Sequence, residues 1–392
     1  MNLIISKGEK LSFDNLLNII ECQKECQSII VFSSSVEFYS KLIVNFINDI
    51  NTIIVDNSTI INEQNLEVRI CENIFYGQKN IKNIKGLVKS SDSSIGLFTS
   101  GTTGKPKLIE HKVSKFFHAV RKQNSRNDVW ALLYNPSHVA GLQVFFQAYL
   151  NDILLVDLYK SSKVEFIKAS QNYNITHISA TPTYYKLLAP YDFYLKNIKR
   201  CTLGGEKSNM NLVNNLKKVF PNAKINNIYA STEAGSLFIS KNDTFKILEE
   251  VKSKVKFINN EIVLHHSIIG NFNKEEWFYT GDIVEFTNNK ETEFKIVSRN
   301  NEIINIGGIR VNLLEVEEKI LNFDFVKQTR VYKKENSVLG YILCCDLILN
   351  QIIKKSDIKK IFRTKLLEQE IPIKINIVEE ITLTNSGKIK RN

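Results

Sequence analysis

Short runs rich in Ile, Val and Leu, at residues 53–55, 95–98, 153–156, 175–180 and 224–229, punctuate the first two thirds of the chain. Their length and composition are those of buried strands. Between them lie stretches of helical spacing, such as Leu212, Leu216 and Val219 ahead of Pro221. This alternation predicts an α/β fold with a largely parallel sheet. Past about residue 255 the strand-like segments at 261–264, 277–286 and 294–297 alternate more openly and lie closer together. They predict an antiparallel or β-barrel-like part. The last ninety or so residues place Leu313, Val316 and Ile320 on one helical face, then a strand pair over 326–349, then a helix using Ile358, Ile361, Phe362 and Leu366. That is a small α+β unit. The polar tripeptide Arg299-Asn300-Asn301 marks the expected boundary, giving a large N-terminal domain over 1–299 and a small C-terminal domain over 302–392.

A length of 392 residues agrees with two or three domains. No window approaches eighteen uninterrupted apolar residues, so no spanning helix is expected. The first residues, Met1 to Lys7, lack the basic region and apolar core of a secretory signal. The six cysteines (Cys22, Cys26, Cys71, Cys201, Cys344 and Cys345) are scattered without zinc-type spacing. The expectation is a cytoplasmic protein with inert thiols. A net charge of +11 would attract nucleotides, phosphorylated cofactors, nucleic acid or acidic proteins. Because the lysines are dispersed and do not interleave with aromatic residues on one face, nucleic acid is not the expected partner.

The most informative segment is Leu97-Phe98-Thr99-Ser100-Gly101-Thr102-Thr103-Gly104-Lys105-Pro106-Lys107. It follows a strand-like run, its small residues let the backbone approach an anion, and its hydroxyl and ammonium groups can contact phosphate oxygens. A solvated Gly/Thr/Lys turn is the plainer alternative. The spacing is not that of a Walker A loop.

Here the chain resembles the adenylate-forming superfamily of acyl- and aryl-CoA synthetases, peptide-synthetase adenylation domains and firefly luciferase. Ser100 to Lys107 looks like its phosphate loop, with Leu108 where a glycine is usual. Further segments follow in the family's order. Thr202-Leu203-Gly204-Gly205-Glu206 resembles the strand end bordering the adenine and acyl pocket, a plain βα turn being the alternative. Tyr229-Ala230-Ser231-Thr232-Glu233 resembles the Y-G-x-T-E segment, with Ala230 for glycine. The resemblance implies that Tyr229 stacks on adenine, Thr232 contacts the α-phosphate and Glu233 helps hold Mg²⁺, a task that suits a carboxylate. Taken alone, Glu233 reads as a solvated acid at a helix N-terminus. Tyr279-Thr280-Gly281-Asp282 resembles the segment whose Asp282 would accept the ribose hydroxyls.

Ser298-Arg299-Asn300-Asn301-Glu302 resembles the hinge, with Ser298 for glycine, Asn301 at the pivot and Arg299 as a ribose or phosphate contact. Gly307 and Gly308 resemble the loop lining the thiol tunnel, and Glu315 is a first-turn acid beyond it. Leu383-Thr384-Asn385-Ser386-Gly387-Lys388 resembles the closing segment, in which Lys388 is the catalytic lysine. By itself Lys388 is a lysine in a basic tail.

Asn135-Pro136-Ser137-His138-Val139-Ala140-Gly141-Leu142 resembles the P-x-x-H-x-x-G-L stretch of acyl- and aryl-CoA ligases, placing His138 at the acyl pocket as a gate or carboxylate contact. A structural histidine is the alternative. Residues 144–149 contain no acid to hold a substrate ammonium, so an amino acid is not the expected substrate. About ninety-five residues precede the phosphate loop, which implies a shortened first subdomain like that of the compact o-succinylbenzoyl-CoA ligases. The implied activity is ATP-, Mg²⁺- and CoA-dependent ligation of a carboxylic acid, with a homodimer admitted. The alternatives are loading of a phosphopantetheinyl carrier protein, or a non-catalytic homologue given Leu108, Ala230, Ser298, Asn301 and Ser386.

Overall fold

The computed structural model describes residues 2–57, 59–78, 81, 83–99, 107–123, 127–208, 210–241, 244–247, 249–271, 275–288, 292–306, 309–336, 340–384 and 389. The chain divides into two units, residues 1–254 with 264–278, and residues 255–263 with 279–392. The expected boundary at Arg299-Asn300-Asn301 falls inside the second unit.

In the first unit the larger sheet runs in the order Thr244–Lys246, Gly235–Lys241, Lys224–Ser231, Arg200–Gly204, His177–Ala180, Val129–Leu132, Leu154–Asp157, Asn2–Ser6 and Glu9–Ser12. Every pairing from Lys224–Ser231 across to Asn2–Ser6 is parallel, and hairpin partners flank this block antiparallel. A second sheet pairs Ile29–Val31, Thr52–Val55 and Ser94–Thr99 in parallel and adds Lys107–Lys112 antiparallel.

Parallel strands need helices on both faces, and the chain supplies them. Ten of the 13 residues of helix Ser35–Ile47 are buried, so this helix is enclosed rather than amphipathic. It packs with helix Val139–Leu150, where Tyr39 and Phe145 stack with centroids 3.9 Å apart. Each such aromatic contributes about 1.5–3 kcal/mol on burial. A separate core gathers Phe166, Tyr185, Leu212, Leu216 and Phe220. Its helices start where the sequence caps them. Ser162 and Glu165 form a capping box for Lys163–Asn172, and Thr181 caps Pro182–Leu187 with proline in its first turn.

The strands Val255–Ile258, Glu261–His265, Trp277–Phe286 and Glu293–Arg299, most of whose residues fall in the second unit, are successive neighbours in chain order. From Ile303 onward the chain builds its own sheet, ordered Ile309–Asn312, Ile303–Ile306, Gly340–Leu349 and Val326–Asn336, with Lys374–Ile377 beside Gly340–Leu349. Helices Leu313–Leu321 and Lys355–Phe362 bury Val316, Ile320, Ile358 and Phe362 against Val331, Leu343 and Ile375. This is the expected α+β unit. Asn312 caps the first of these helices, accepting from the Leu314 amide at 3.0 Å and donating to Glu315 at 3.0 Å. Among the described residues no helix is long and apolar enough to cross a membrane.

Candidate active site

In open parallel sheets the carboxyl ends of the strands leave a crevice in which ligands bind. The first unit places its chemistry there. Asn135 to His138 follow the strand Val129–Leu132, Thr181 and Thr183 follow His177–Ala180, Gly205 and Glu206 follow Arg200–Gly204, and Thr232 and Glu233 follow Lys224–Ser231. Asp56 and Thr99 occupy the matching ends of the second sheet.

His138 is the N-cap residue of helix Val139–Leu150, and its side chain makes no cap hydrogen bond. Its Nε2 instead lies 3.2 Å from the Asp56 carboxylate. That carboxylate also accepts from the Ser137 hydroxyl, and Asn135 Nδ2 approaches it at 3.4 Å. Asn135 Oδ1 in turn accepts from the Ser137 amide at 3.0 Å. Asp56 thus fixes the segment that carries His138. One cavity is lined by Ile54, Val55, Asp56, Leu97, Phe98, Ser137, His138, Val139 and Thr232, so two sequence-predicted residues, His138 and Thr232, share it.

The segment leaves no room beside Gly141. A Cβ there would fall 2.1 Å from the Asn135 carbonyl oxygen and 2.8 Å from Pro136 Cα, and both neighbours are backbone. Gly141→Ala is therefore expected to destabilise the fold by about 1–3 kcal/mol, as overpacking does. It should also displace His138. Thermal melting checks this, and an unchanged melting point contradicts it.

Tyr229 is 9% exposed, stacks on Phe238 at 5.5 Å and meets Phe245 edge-on at 6.4 Å. The ladder slips between Tyr229 and Ala230, a bulge that re-aims the residues that follow. Ser231 then pairs with Gly235, whose φ of +72° favours glycine. Thr232 and Glu233 consequently sit on a hairpin turn, not at the helix N-terminus considered for Glu233. The Glu233 carbonyl accepts from the Gly270 amide at 2.6 Å. Its side chain is half-exposed, and among the described residues no hydrogen bond reaches the carboxylate. Such a carboxylate suits a hard cation that takes its other oxygens from phosphate and water.

The space a side chain would take at Gly204 lies 3.0 Å from the Tyr134 hydroxyl, which donates to the Ala180 carbonyl at 2.9 Å. Gly205 turns the chain at φ +83°. Glu206 accepts from the Thr183 amide at 2.9 Å, placing its charge at the start of helix Pro182–Leu187. Thr99 pairs with exposed Lys107, and the Thr99 hydroxyl reaches the Lys107 carbonyl at 3.5 Å. Ser100, Gly101, Thr102, Thr103 and Gly104, which join them, lie outside the described residues.

In the second unit Asp282 is buried and binds Arg299 through both oxygens, at 2.8 Å from Nε and 3.2 Å from Nη2. The Asp282 amide donates to Thr280 Oγ1 at 3.1 Å, and the Gly281 amide donates to Glu261 at 2.7 Å. Asn301 lies in the short 3-10 turn Asn300–Glu302. Gly307, Gly308 and Lys388 lie outside the described residues.

Fold and site geometry define an open-sheet α/β protein whose candidate site lies at the carboxyl edge of its parallel strands. The chain belongs to the AMP-binding enzyme family, whose model matches residues 23–259. It is similar to 2-succinylbenzoate–CoA ligase of Bacillus pumilus, 23% identical over 352 residues that cover 81% of this chain and 71% of that one. Bacitracin synthase 3 of Bacillus licheniformis is 23% identical over 347 residues, 77% of this chain and 5% of that protein. Among solved structures, o-succinylbenzoate coenzyme A synthetase of Bacillus subtilis in complex with ATP and magnesium ion superposes with a TM-score of 0.74. It is 18% identical, with 99% of this chain and 95% of that chain covered.

Asp56, His111 and Lys115 were not singled out from the sequence. Asp56 carries no local signal, being 82 residues from His138. His111 had one, because it occupies a buried position of an alternating strand.

Proposed function

We propose that this protein is an ATP-dependent ligase that joins a carboxylic acid to a thiol through an acyl- or aryl-adenylate, with CoA as the thiol. The observation that carries this reading is the gathering of His138, Thr232 and Glu233 at the carboxyl edge of the parallel strands, His138 and Thr232 in one cavity. Similarity to CoA ligases over 81% of the chain supports the thiol assignment.

Two steps follow from this assignment. The acid's carboxylate oxygen attacks the α-phosphorus of Mg·ATP and pyrophosphate leaves. The thiol sulfur then attacks the acyl carbon, gives up its proton, and AMP leaves. In the first step Thr232 contacts the α-phosphate, Glu233 holds the nucleotide's Mg²⁺, and the Ser100 to Lys107 loop holds the outer phosphates. Lys388 offsets the charge that builds on phosphorus. Tyr229 with Gly204, Gly205, Glu206, Ala230 and Ser231 borders the adenine, while Asp282 and Arg299 serve the ribose. Between the steps the 302–392 domain turns about Asn301, withdrawing Lys388 and presenting Gly307 and Gly308 to the thiol.

The cavity's apolar lining, Ile54, Val55, Leu97, Phe98 and Val139, favours an apolar or aromatic acid. Asp56 favours a second reading. It is a carboxylate in the cavity wall, and bacitracin synthase 3 is among the similar proteins, so an acid bearing an amino group, loaded onto a carrier protein, is the alternative. Pyrophosphate release over aryl, medium-chain acyl and amino acids, each with and without CoA, tests both. The first reading expects graded rates among aryl or acyl acids, since one methylene is worth only about 1–3 kcal/mol in such a pocket, and a CoA-dependent thioester. A clear preference for an amino acid without CoA thioester moves the assignment to the second. No release with any acid sinks both.

A further inference from the structure

Strand Lys107–Lys112 alternates, and its buried positions are Ile109 and His111, the latter 3% exposed. His111 Nε2 lies 2.7 Å from the Thr232 carbonyl oxygen. On the other side of the ring, Nδ1 lies 3.4 Å from Lys115 Nζ, which also donates to the Ile268 carbonyl at 2.8 Å. A lysine ammonium only donates, so Nδ1 accepts and the ring proton sits on Nε2, aimed at Thr232. Burial, with the Lys115 charge second, pushes His111 down to about 4, so the ring is neutral at neutral pH. Burial also pushes Lys115 down to about 8.

The segment Gly270-Asn271 bridges the same strand and the turn through two backbone hydrogen bonds. The Gly270 amide donates to the Glu233 carbonyl at 2.6 Å, and the Asn271 amide donates to the Glu110 carbonyl at 2.8 Å. Residue 270 has to be glycine for this approach, because a Cβ there would fall 2.4 Å from Ile109 Cγ2 and 2.7 Å from His111 Cε1. Both carbonyls of the Thr232–Glu233 turn are therefore held from the side of the Lys107–Lys112 strand, and that strand begins where the phosphate-loop segment ends.

We infer that His111 is a positioning residue whose Nε2–H, kept on that nitrogen by Lys115, clamps the Thr232 carbonyl and so aims the Thr232 hydroxyl and the Glu233 carboxylate at Mg·ATP. This rests on the reading that the turn contacts Mg·ATP. A histidine that merely fills the core would be replaced equally well by any side chain of similar size, whereas a clamp needs the donor.

The test compares His111→Leu with His111→Gln, whose amide N–H can stand near the place of Nε2–H. Calorimetric titration with Mg·ATP, with no acid present, is read beside thermal melting. The Leu variant is expected to bind Mg·ATP about tenfold more weakly, the effect of one lost hydrogen bond, with the Gln variant recovering to within about threefold. Lys115→Met should give an intermediate loss. Ring ¹⁵N shifts of the wild type should report an Nε2–H tautomer at His111 that does not titrate near neutral pH. Should the Leu variant not fold, the Lys115→Met titration and the tautomer decide. An Nδ1–H tautomer, equal losses in Leu and Gln, or wild-type binding by the Leu or Met variant overturns the inference alone. A wild type that binds no Mg·ATP sinks the functional reading and this inference together.

Discussion

Lys388→Ala is expected to lower acid-dependent pyrophosphate release by about 10²–10³-fold, the usual loss for one preorganised electrostatic contact at a developing charge. Thioester formation from supplied acyl-adenylate should stay within a few-fold of wild type. The asymmetry follows from where charge moves. In the first step negative charge builds on the phosphoryl oxygens as the carboxylate attacks, and an ammonium there acts on the transition state more than on the bound substrate. In the second step the charge develops on the carbonyl oxygen of the acyl group, and the proposed scheme has withdrawn Lys388 by then. The measurement is paired assays of the two half-reactions, together with a melting curve. Equal loss in both half-reactions would contradict the rotating-domain scheme and return Lys388 to an ordinary basic tail.

The parts of the fold legible in the sequence are those set by local pattern. Ile53 to Val55 and Ile175 to Ala180 read as buried strands because parallel strands are covered on both faces, and the structure makes them parallel ladders. Leu212, Leu216 and Val219 read as one helical face and are the buried residues of helix Met210–Val219. The setting of Glu233 was harder. A helix and a three-residue hairpin turn can both follow a strand, and what selects the turn here is the left-handed Gly235 together with the bulge after Tyr229. Contacts between distant segments left no trace. Asp56 looks like any acid ending a strand, and its role as the partner of Ser137 and His138 appears only when the two sheets are brought together. That contact also bears on the substrate. The sequence shows no acid after Gly141 to hold an ammonium, yet the cavity contains a carboxylate from another strand end.

Glu233→Gln is expected to raise the Mg²⁺ concentration needed for half-maximal pyrophosphate release by about 10–100-fold while moving the melting temperature little. Glutamine keeps the shape and removes the charge, and a hard cation binds an anionic oxygen far better than a neutral amide oxygen. Two unit charges near contact interact by about 4 kcal/mol at the effective dielectric of a protein surface, so the loss of one ligand charge among several leaves one to two decades. Stability is spared because the turn is held through its backbone, by His111 at the Thr232 carbonyl and by the Gly270 amide at the Glu233 carbonyl, and neither contact uses the carboxylate. The same geometry separates this substitution from His111→Leu. Losing the clamp should weaken Mg·ATP binding even at saturating Mg²⁺, whereas losing the carboxylate should be largely overcome by excess Mg²⁺. A magnesium titration of Glu233→Gln that overlays the wild type would remove Glu233 from the metal's coordination, leaving the nucleotide's cation to phosphate oxygens and water.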